Sequence, residues 1–410
     1  MTAIQELAGK HLILGVTGGV AAYKAADLCR RLQEKGATVQ VVMTPAACQF
    51  ITPLTLQALS GRRVMIDAWD QNDPIISNAM PHIESSRCAD AIIIAPATAD
   101  FMAKLVYGFG NDILSNICLA RNCQTVPLLV APAMNVEMWN NPATIRNIAQ
   151  LQTDGVAILG PAQGVQACGE TGTGRLLEVA DIVREVIAHF QPKLLQGKRV
   201  LVTAGATFEA IDPVRGITNI SSGKMGYSIA QAAWEAGAQV LLISGVSSLP
   251  TPYGIKRIYA QTAHEMQAAV ETHAVSQDVF FSVAAVADWR IATTAEQKIK
   301  KIAGKTTYTL EMVQNPDILM AIAASERAQS GKLYCVGFSA ETEQFDINSQ
   351  VKRLKKGVPL LVGNDARQAM KSDDNALTLY DAYEIIRLPL QPKLLAARAL
   401  IAAVAQRLLQ

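Results

Sequence analysis

Thr203–Gly226 reads TAGATFEAIDPVRGITNISSGKMG. It follows the apolar run Arg199-Val200-Leu201-Val202 and precedes a segment in which Ile229, Ala233 and Trp234 recur at helical spacing. Strand, long polar loop and helix in that order place the loop at the carboxyl end of a strand, the edge at which open α/β sheets bind ligands. Gly205, Gly216, Gly223 and Gly226 let backbone N–H groups approach an anion, and Arg215 and Lys224 add positive charge. The stretch is not a GxxxxGK[ST] phosphate loop, because Thr218 stands where that motif requires Gly and Met225 where it requires a metal-binding hydroxyl. The chain also lacks the GxGxxG of ordinary dinucleotide sites.

Around this stretch lie 410 residues, half of them apolar, enough for two or three domains with a core each. A formal charge of +2 argues against nucleic acid or a membrane surface as partner. The first ten residues, MTAIQELAGK, lack the apolar core of a signal peptide, and no apolar run approaches the ~20 residues that span a bilayer. Seven cysteines without a CxxC pair suit a reducing compartment, so the expectation is a cytoplasmic protein.

The first half repeats the strand–loop–helix logic. His11–Val16 is apolar, Thr17-Gly18-Gly19 follows, and Ala25, Leu28 and Leu32 share one helical face ending near Gly36. Thr38–Met43 completes a βαβ unit, which implies parallel strands and a right-handed crossover. Further strands are expected at Ala91–Ala95, Val126–Ala131 and Val156–Leu159. The polar stretches Gly15–Gly19, Thr44, Pro96–Asp100, Pro132–Asn135 and Pro161–Arg175 then all follow strand ends and converge on one crevice. A mononucleotide whose phosphate rests on Thr and Gly backbone amides fits such a crevice better than a nicotinamide dinucleotide. Leu176–Phe190 reads as a helix, and Gln191-Pro192 followed by a short polar connector marks a boundary near residue 191.

In the second half, strands are expected at Val240–Ile243 and Val279–Val283, the latter running into Ala284–Trp289 with Asp288 at its end. A helix around Ala263–Glu271 lies between them, Ala376–Tyr380 and Glu384–Leu388 alternate as an antiparallel hairpin, and Lys393–Leu409 closes the chain as an amphipathic helix. The fold class is thus α/β, two doubly wound and largely parallel-sheet domains: a flavodoxin-like or Rossmann-like domain over residues 1–190, then a Rossmann-like domain with a small antiparallel hairpin over 191–410.

Two resemblances add to this. Thr203–Gly226 resembles the signature of phosphopantothenate–cysteine ligases, with Asp212-Pro213-Val214-Arg215 and Asn219 in step and departures only at Ala206 and Thr218. GVTGGVAAYKA from Gly15, PATADFMAKLVYG from Pro96, PAMNVEMWNNPA from Pro132 and ACGETGTGRL from Ala167 resemble the FMN-dependent cysteine decarboxylases, in particular those acting on phosphopantothenoylcysteine. The two joined in this order resemble the bifunctional decarboxylase/ligases of bacterial coenzyme A synthesis. The resemblance implies catalytic roles for His82, Asn135 and Cys168, with Gly15, Thr17, Gly18, Thr44, Pro96, Thr98 and Met134 holding FMN. It implies that Cys168 is the proton donor that completes decarboxylation, a thiol with ordinary pKa near ~8.5 being suited to the task, while His82 and Asn135 orient the substrate.

For the second half, the resemblance implies CTP and an acyl-cytidylate, with Mg2+ accompanying the nucleotide and its protein ligands unassigned. Asn219 and Lys298 would be catalytic. Nucleotide contacts would come from Arg215, Ser221, Ser222, Gly223, Lys224, Ser282, Val283, Ala284, Asp288, Lys298, Asn315, Pro316, Asp317, Ile318, Phe338, Lys352 and Lys356. The implied partners are 4′-phosphopantothenate, L-cysteine and CTP, in a homo-oligomer of flavin-half trimers and ligase-half dimers, up to a dodecamer. A flavin prenyltransferase or oxidoreductase is the competing enzyme reading. A flavin-bearing regulatory protein is the non-enzyme one. The Cys168 loop and the attached ligase oppose the first, and the presence of both His82 and Cys168 opposes the second.

Overall fold

A computed structural model describes residues 5–67, 80–300, 306–341, 345–365 and 372–409. The chain divides into two compact units, Met1–Phe190 and Gln191–Gln410.

In the first unit five strands, β1 (His11–Val16), β2 (Thr38–Met43), β3 (Ala91–Ala97), β4 (Leu128–Pro132) and β5 (Ala157–Ile158), form one sheet in the order β2-β1-β3-β4-β5. All pairs are parallel, with Leu12 opposite both Val39 and Ala91. Parallel strands covered on both faces must be apolar on both, and Leu12, Ile13, Leu14, Ile92, Ile93 and Ile94 are all fully buried. The helix Lys24–Glu34 buries Ala25, Leu28, Cys29 and Leu32, the stripe its spacing predicts. This strand order is flavodoxin-like, with its reversal between β1 and β3.

The second unit is built on an eight-stranded sheet. In spatial order its strands are Lys256–Tyr259, Gln239–Ser244, Arg199–Ala204, Val279–Ser282, Tyr334–Glu341, Leu360–Asp365, Thr378–Tyr380 and Ile385–Arg387. The first six are parallel, and the last two are the expected antiparallel hairpin, added to the sheet edge. Numbered along the chain, the six parallel strands run 3-2-1-4-5-6, the Rossmann order, reached here without a GxGxxG. The reversal falls between Arg199–Ala204 and Val279–Ser282. The C-terminal helix Lys393–Arg407 buries Ala396, Ala397, Leu400, Ile401 and Val404.

Three expectations need correction. Thr203–Gly226 is not one loop: it holds an antiparallel hairpin, Phe208–Asp212 with Arg215–Thr218. Its alternation is inverted relative to an ordinary strand, because the inward residues are carboxylates, Glu209 at 4% and Asp212 at 2% exposure. Pro161–Arg175 likewise contains a hairpin, Ala162–Val165 with Thr171–Arg175, whose Gly and Thr residues give no apolar period. The strand Lys256–Tyr259, at the edge of the sheet, was not anticipated, and the helix expected from Leu176 begins at Val179.

Phe281, fully buried in a central strand of the second unit, reports on this packing. Phe281→Ala should cost ~3–5 kcal/mol through lost contacts and a residual cavity. Urea unfolding would show this as a lower midpoint, and an unchanged midpoint would mean that the surroundings collapse to fill the space.

Candidate functional site

The reversal between β1 and β3 opens into a cavity of about 680 Å³. Its walls come from four separate stretches: Gly18–Ala21 with Tyr23 and Lys24, Thr98-Ala99, Ala133–Asn135 with Met138, and Val165–Cys168 with Gly174–Leu176. Of the residues expected around a flavin, Gly18, Thr98, Met134, Asn135 and Cys168 line it. Thr17 and Pro96 stand behind that wall. The buried Thr17 Oγ1 donates to the Pro96 carbonyl at 2.8 Å and accepts from the Thr98 N–H at 3.0 Å, fastening the two loops together. Thr44 is also buried and accepts from the Ala47 N–H. Gly15 is a packing residue of β1, where a Cβ would lie 2.6 Å from Ile94 and 2.7 Å from Leu114. His82, half-buried in the helix Pro81–Cys88, does not line the cavity.

The hairpin Ala162–Val165/Thr171–Arg175 carries Cys168 in its turn and lies flush on the loop after β4. The Met134 N–H donates to the Gly174 carbonyl at 2.9 Å, and the Gln166 side-chain oxygen accepts from the Val136 N–H at 2.9 Å. The close fit explains the TGTG of the sequence: a Cβ on Gly174, whose φ is 141°, would sit 2.5 Å from the Met134 carbonyl, and one on Gly172 would sit 2.6 Å from Val136. Asn135 caps the short helix Val136–Asn140 by accepting from the Met138 N–H, and its Nδ2 donates to Glu170 Oε2 at 3.2 Å. Cys168 Sγ is 3.4 Å from the same oxygen. Glu170, Gln166, Lys24 and Arg175 were not anticipated. The ACGETG string places Glu170 two residues from Cys168, and the tight turn sets its carboxylate against Cys168 and Asn135, behind the residues that line the cavity.

The other cysteines differ in burial. Burial pushes Cys29 up to about 11 and Cys118 and Cys335 up to about 12, as inert core thiols. Cys88 and Cys123 are exposed and do not pack.

In the second unit the loops after Arg199–Ala204 and Val279–Ser282 meet at the other reversal, laced by side chains. Thr203 Oγ1 accepts from the N–H groups of Val283 and Ala284, Thr207 Oγ1 accepts from Ala287 N–H at 2.9 Å, and Asn219 Nδ2 donates to the carbonyls of Ala285 and Val286, both at 3.1 Å. Ser282 ends its strand half-buried beside these contacts. Next in line, the buried Asn315 donates to the Ala287 carbonyl at 2.8 Å, and its own N–H reaches the carbonyl of the exposed Asp288. Pro316 precedes Asp317, which caps the helix Ile318–Ala323 and pairs with Lys356. Phe338 and Lys352 are half-buried on the adjoining strand and helix.

Asp212 and Arg215 form a clamp. The carboxylate accepts from the Arg215 side chain and from the N–H groups of Val214, Arg215 and Ile299, while Arg215 Nη2 also donates to the Ile299 carbonyl at 3.0 Å. The residue so gripped follows Lys298, which is exposed and makes no ion pair among the described residues. Lys298 opens the basic run Lys298-Ile299-Lys300-Lys301, whose last residue lies outside the described residues. Gly223, at φ 77°, starts the helix Lys224–Glu235, with Ser221 and Ser222 accepting from the N–H groups of Gly223 and Lys224. Lys224 pairs with Asp373 at 2.5 Å. Beside it lies Lys393, an unanticipated buried cation whose pKa burial lowers, with the nearby Lys224 ammonium adding to the effect. Among the described residues no three His, Cys, Asp or Glu side chains converge as a metal site, and no helix is long and apolar enough to cross a membrane.

The sequence model of the Flavoprotein family matches residues 2–191, and that of the DNA/pantothenate metabolism flavoprotein C-terminal domain matches residues 195–408. The coenzyme A biosynthesis bifunctional protein CoaBC of Vibrio vulnificus (strain CMCP6) is 50% identical over 393 residues, covering 95% of this chain and 96% of the relative. Its counterpart in Escherichia coli (strain K12) is 46% identical over 409 residues and covers 98% of each. A crystal structure of the C-terminal domain of a coenzyme A biosynthesis bifunctional protein CoaBC is 35% identical, with a TM-score of 0.45, and covers 53% of this chain and 98% of its own.

The clamp predicts a pH dependence. The Arg215 guanidinium, helped by the three N–H groups and opposed by burial, holds the Asp212 carboxyl well below the usual carboxylate range. The charged carboxylate is therefore favoured in the folded state, and its contribution is present above the unfolded value of ~3.9 and lost as pH falls through the lower folded one. Asp212→Asn should destabilise the second unit at pH 7, and the gap to the parent should narrow as pH falls below ~4. Urea unfolding followed by tryptophan fluorescence at several pH values measures it, and equal stability at pH 7 would contradict it.

Proposed function

The chain belongs to the family of bifunctional coenzyme A biosynthesis proteins, and from that premise we propose how its two units share the work. The protein is a bifunctional enzyme, a ligase and a decarboxylase. Residues 191–410 join 4′-phosphopantothenate to L-cysteine with CTP by way of an acyl-cytidylate. Residues 1–190 then decarboxylate 4′-phosphopantothenoylcysteine to 4′-phosphopantetheine. The observation that carries this assignment is the cavity at the β1/β3 reversal, where Asn135 and Cys168 meet on one wall.

FMN fits that cavity. Its volume is in the range of cofactor sites, Val20, Met134, Met138 and Leu176 offer apolar surface to a flat ring, and Gly18, Gly19, Thr98 and Lys24 offer N–H, hydroxyl and ammonium groups to a phosphate. When bound, the flavin supplies the electron sink that lets carbon dioxide depart and returns the electrons at the end. The protein's own groups do the rest. The Asn135 amide receives the substrate carboxylate, and the Cys168 thiol delivers the last proton to carbon. Val20, Tyr23 and Val165, at 60%, 63% and 66% exposure, leave an apolar rim on the cavity that supports a homo-oligomeric enzyme.

In the ligase unit, Lys298 on its clamped segment offsets charge on the departing pyrophosphate, and Mg2+ bound with the nucleotide would add to that charge stabilisation. Asn219 spends its N–H2 group on two carbonyls, so its Oδ1, without a partner among the described residues, is the atom offered to the cysteine amine. Free thiols throughout the described chain support a cytoplasmic setting.

Mass spectrometry of products from phosphopantothenate, cysteine, CTP and magnesium, omitting each in turn, tests the whole assignment, and phosphopantetheine formed without CTP would overturn it. The purified protein should be yellow with non-covalent FMN, and a colourless protein that also rejects added FMN would refute the flavin assignment. Within the ligase, Lys298→Gln should lose ~3 kcal/mol of transition-state stabilisation, on the order of a hundredfold in pyrophosphate release. Asn219→Asp should still form acyl-cytidylate and fail to pass it to cysteine. Rapid quench with labelled CTP separates the two steps, and a block before pyrophosphate release in both variants would place Asn219 in the nucleotide site.

A further inference from the structure

We propose that Glu170 is a positioning residue for the decarboxylase, a single carboxylate that sets the places of Cys168 and Asn135 together. The proposal rests on the roles given above to those two side chains. One oxygen, Glu170 Oε2, accepts from Asn135 Nδ2 at 3.2 Å and from Cys168 Sγ at 3.4 Å. Asn135 belongs to the loop after β4 and Cys168 to the hairpin turn; Cys168 Sγ also lies 3.9 Å from Gln166 Oε1, but among the described residues Glu170 Oε2 is the acceptor that both side chains share.

Glu170 is itself well placed to act as a reference point. Its carbonyl accepts from the Gln166 N–H at 2.8 Å, closing the turn in which Cys168 sits. Gln166 in turn holds the Val136 N–H and, through Nε2, the Thr173 carbonyl at 3.4 Å. Asn135 cannot swing freely either, because its Oδ1 caps the following helix and leaves only the Nδ2 side to face Glu170. The turn, the loop and the two reactive side chains thus share one hydrogen-bonded frame whose hub is the Glu170 carboxylate, the kind of support that keeps a reacting group within reach of its target. Glu170 gives and takes no proton: the thiol proton goes to the substrate carbon, and Glu170 decides where the sulfur stands when it leaves.

Because both bonds converge on one oxygen, Glu170→Gln can keep them through its amide oxygen, whereas Glu170→Ala cannot. In single turnovers of the flavin-loaded full-length enzyme, Glu170→Ala should slow both carbon dioxide release, which needs Asn135 on the substrate carboxylate, and formation of the saturated thiol product, which needs Cys168, each ~10-fold or more, the scale of loss expected from a misplaced reacting group. Glu170→Gln should recover most of that loss. A second readout needs no flavin: alkylation of Cys168, followed by peptide mass spectrometry, should quicken severalfold in Glu170→Ala while the exposed Cys88 and Cys123 react as before. Native rates of both steps in Glu170→Ala, or no recovery in Glu170→Gln, would overturn the proposal. Cys168→Ser run alongside separates the two ideas. If it completes the reaction at the native rate, the role of Cys168 fails and the proposal with it. If it stalls after carbon dioxide release while Glu170→Ala keeps native rates, only the role of Glu170 fails.

Discussion

A parallel sheet buried on both faces leaves few places where its chain can meet water with polar groups, and the carboxyl edge is the chief of them. Both units obey this constraint. Ile92–Ile94 in one and Val279–Phe281 in the other are buried whichever way their side chains point, so reactive residues are pushed into the loops beyond the strand ends. At a reversal of strand order, neighbouring loops leave in opposite directions and a crevice opens between them. The cavity of the first unit and the laced loops of the second stand at those two reversals.

Loops set free in this way need something to hold them, and here short polar side chains do so. Thr17 joins the loops after β1 and β3, Thr203 and Thr207 join those at the ligase reversal, and Asp212 with Arg215 grips the backbone beside Lys298. Each bond is individually modest, but a buried carboxylate or hydroxyl left without a partner would be costly, so the contacts are effectively obligatory once the loops are buried. Rigidity at both sites comes from this satisfaction of polar atoms rather than from apolar packing.

What was legible in the sequence follows the same division. Apolar strands and the Ala25–Leu32 stripe declared themselves through period and burial, and the strand-end loops could be placed once the strands were known. The two hairpins escaped because their inward positions hold Glu209, Asp212, glycine or threonine, which give no hydrophobic alternation. Gly15 and Gly18 looked alike in GVTGG, yet Gly15 serves packing against Ile94 and Leu114 while Gly18 lines the cavity. Glu170 carried no signal of its own. Its partners Asn135 and Cys168 are separated by more than thirty residues along the chain, and a hydrogen bond across that interval has no local pattern to betray it.

The strand orders differ, 2-1-3-4-5 in one unit and 3-2-1-4-5-6 in the other. The second sheet is therefore not a copy of the first, and each reaches its own reversal by a different path of the chain. Each sheet pairs only strands of its own unit, so no backbone ladder of one half is completed by a strand of the other.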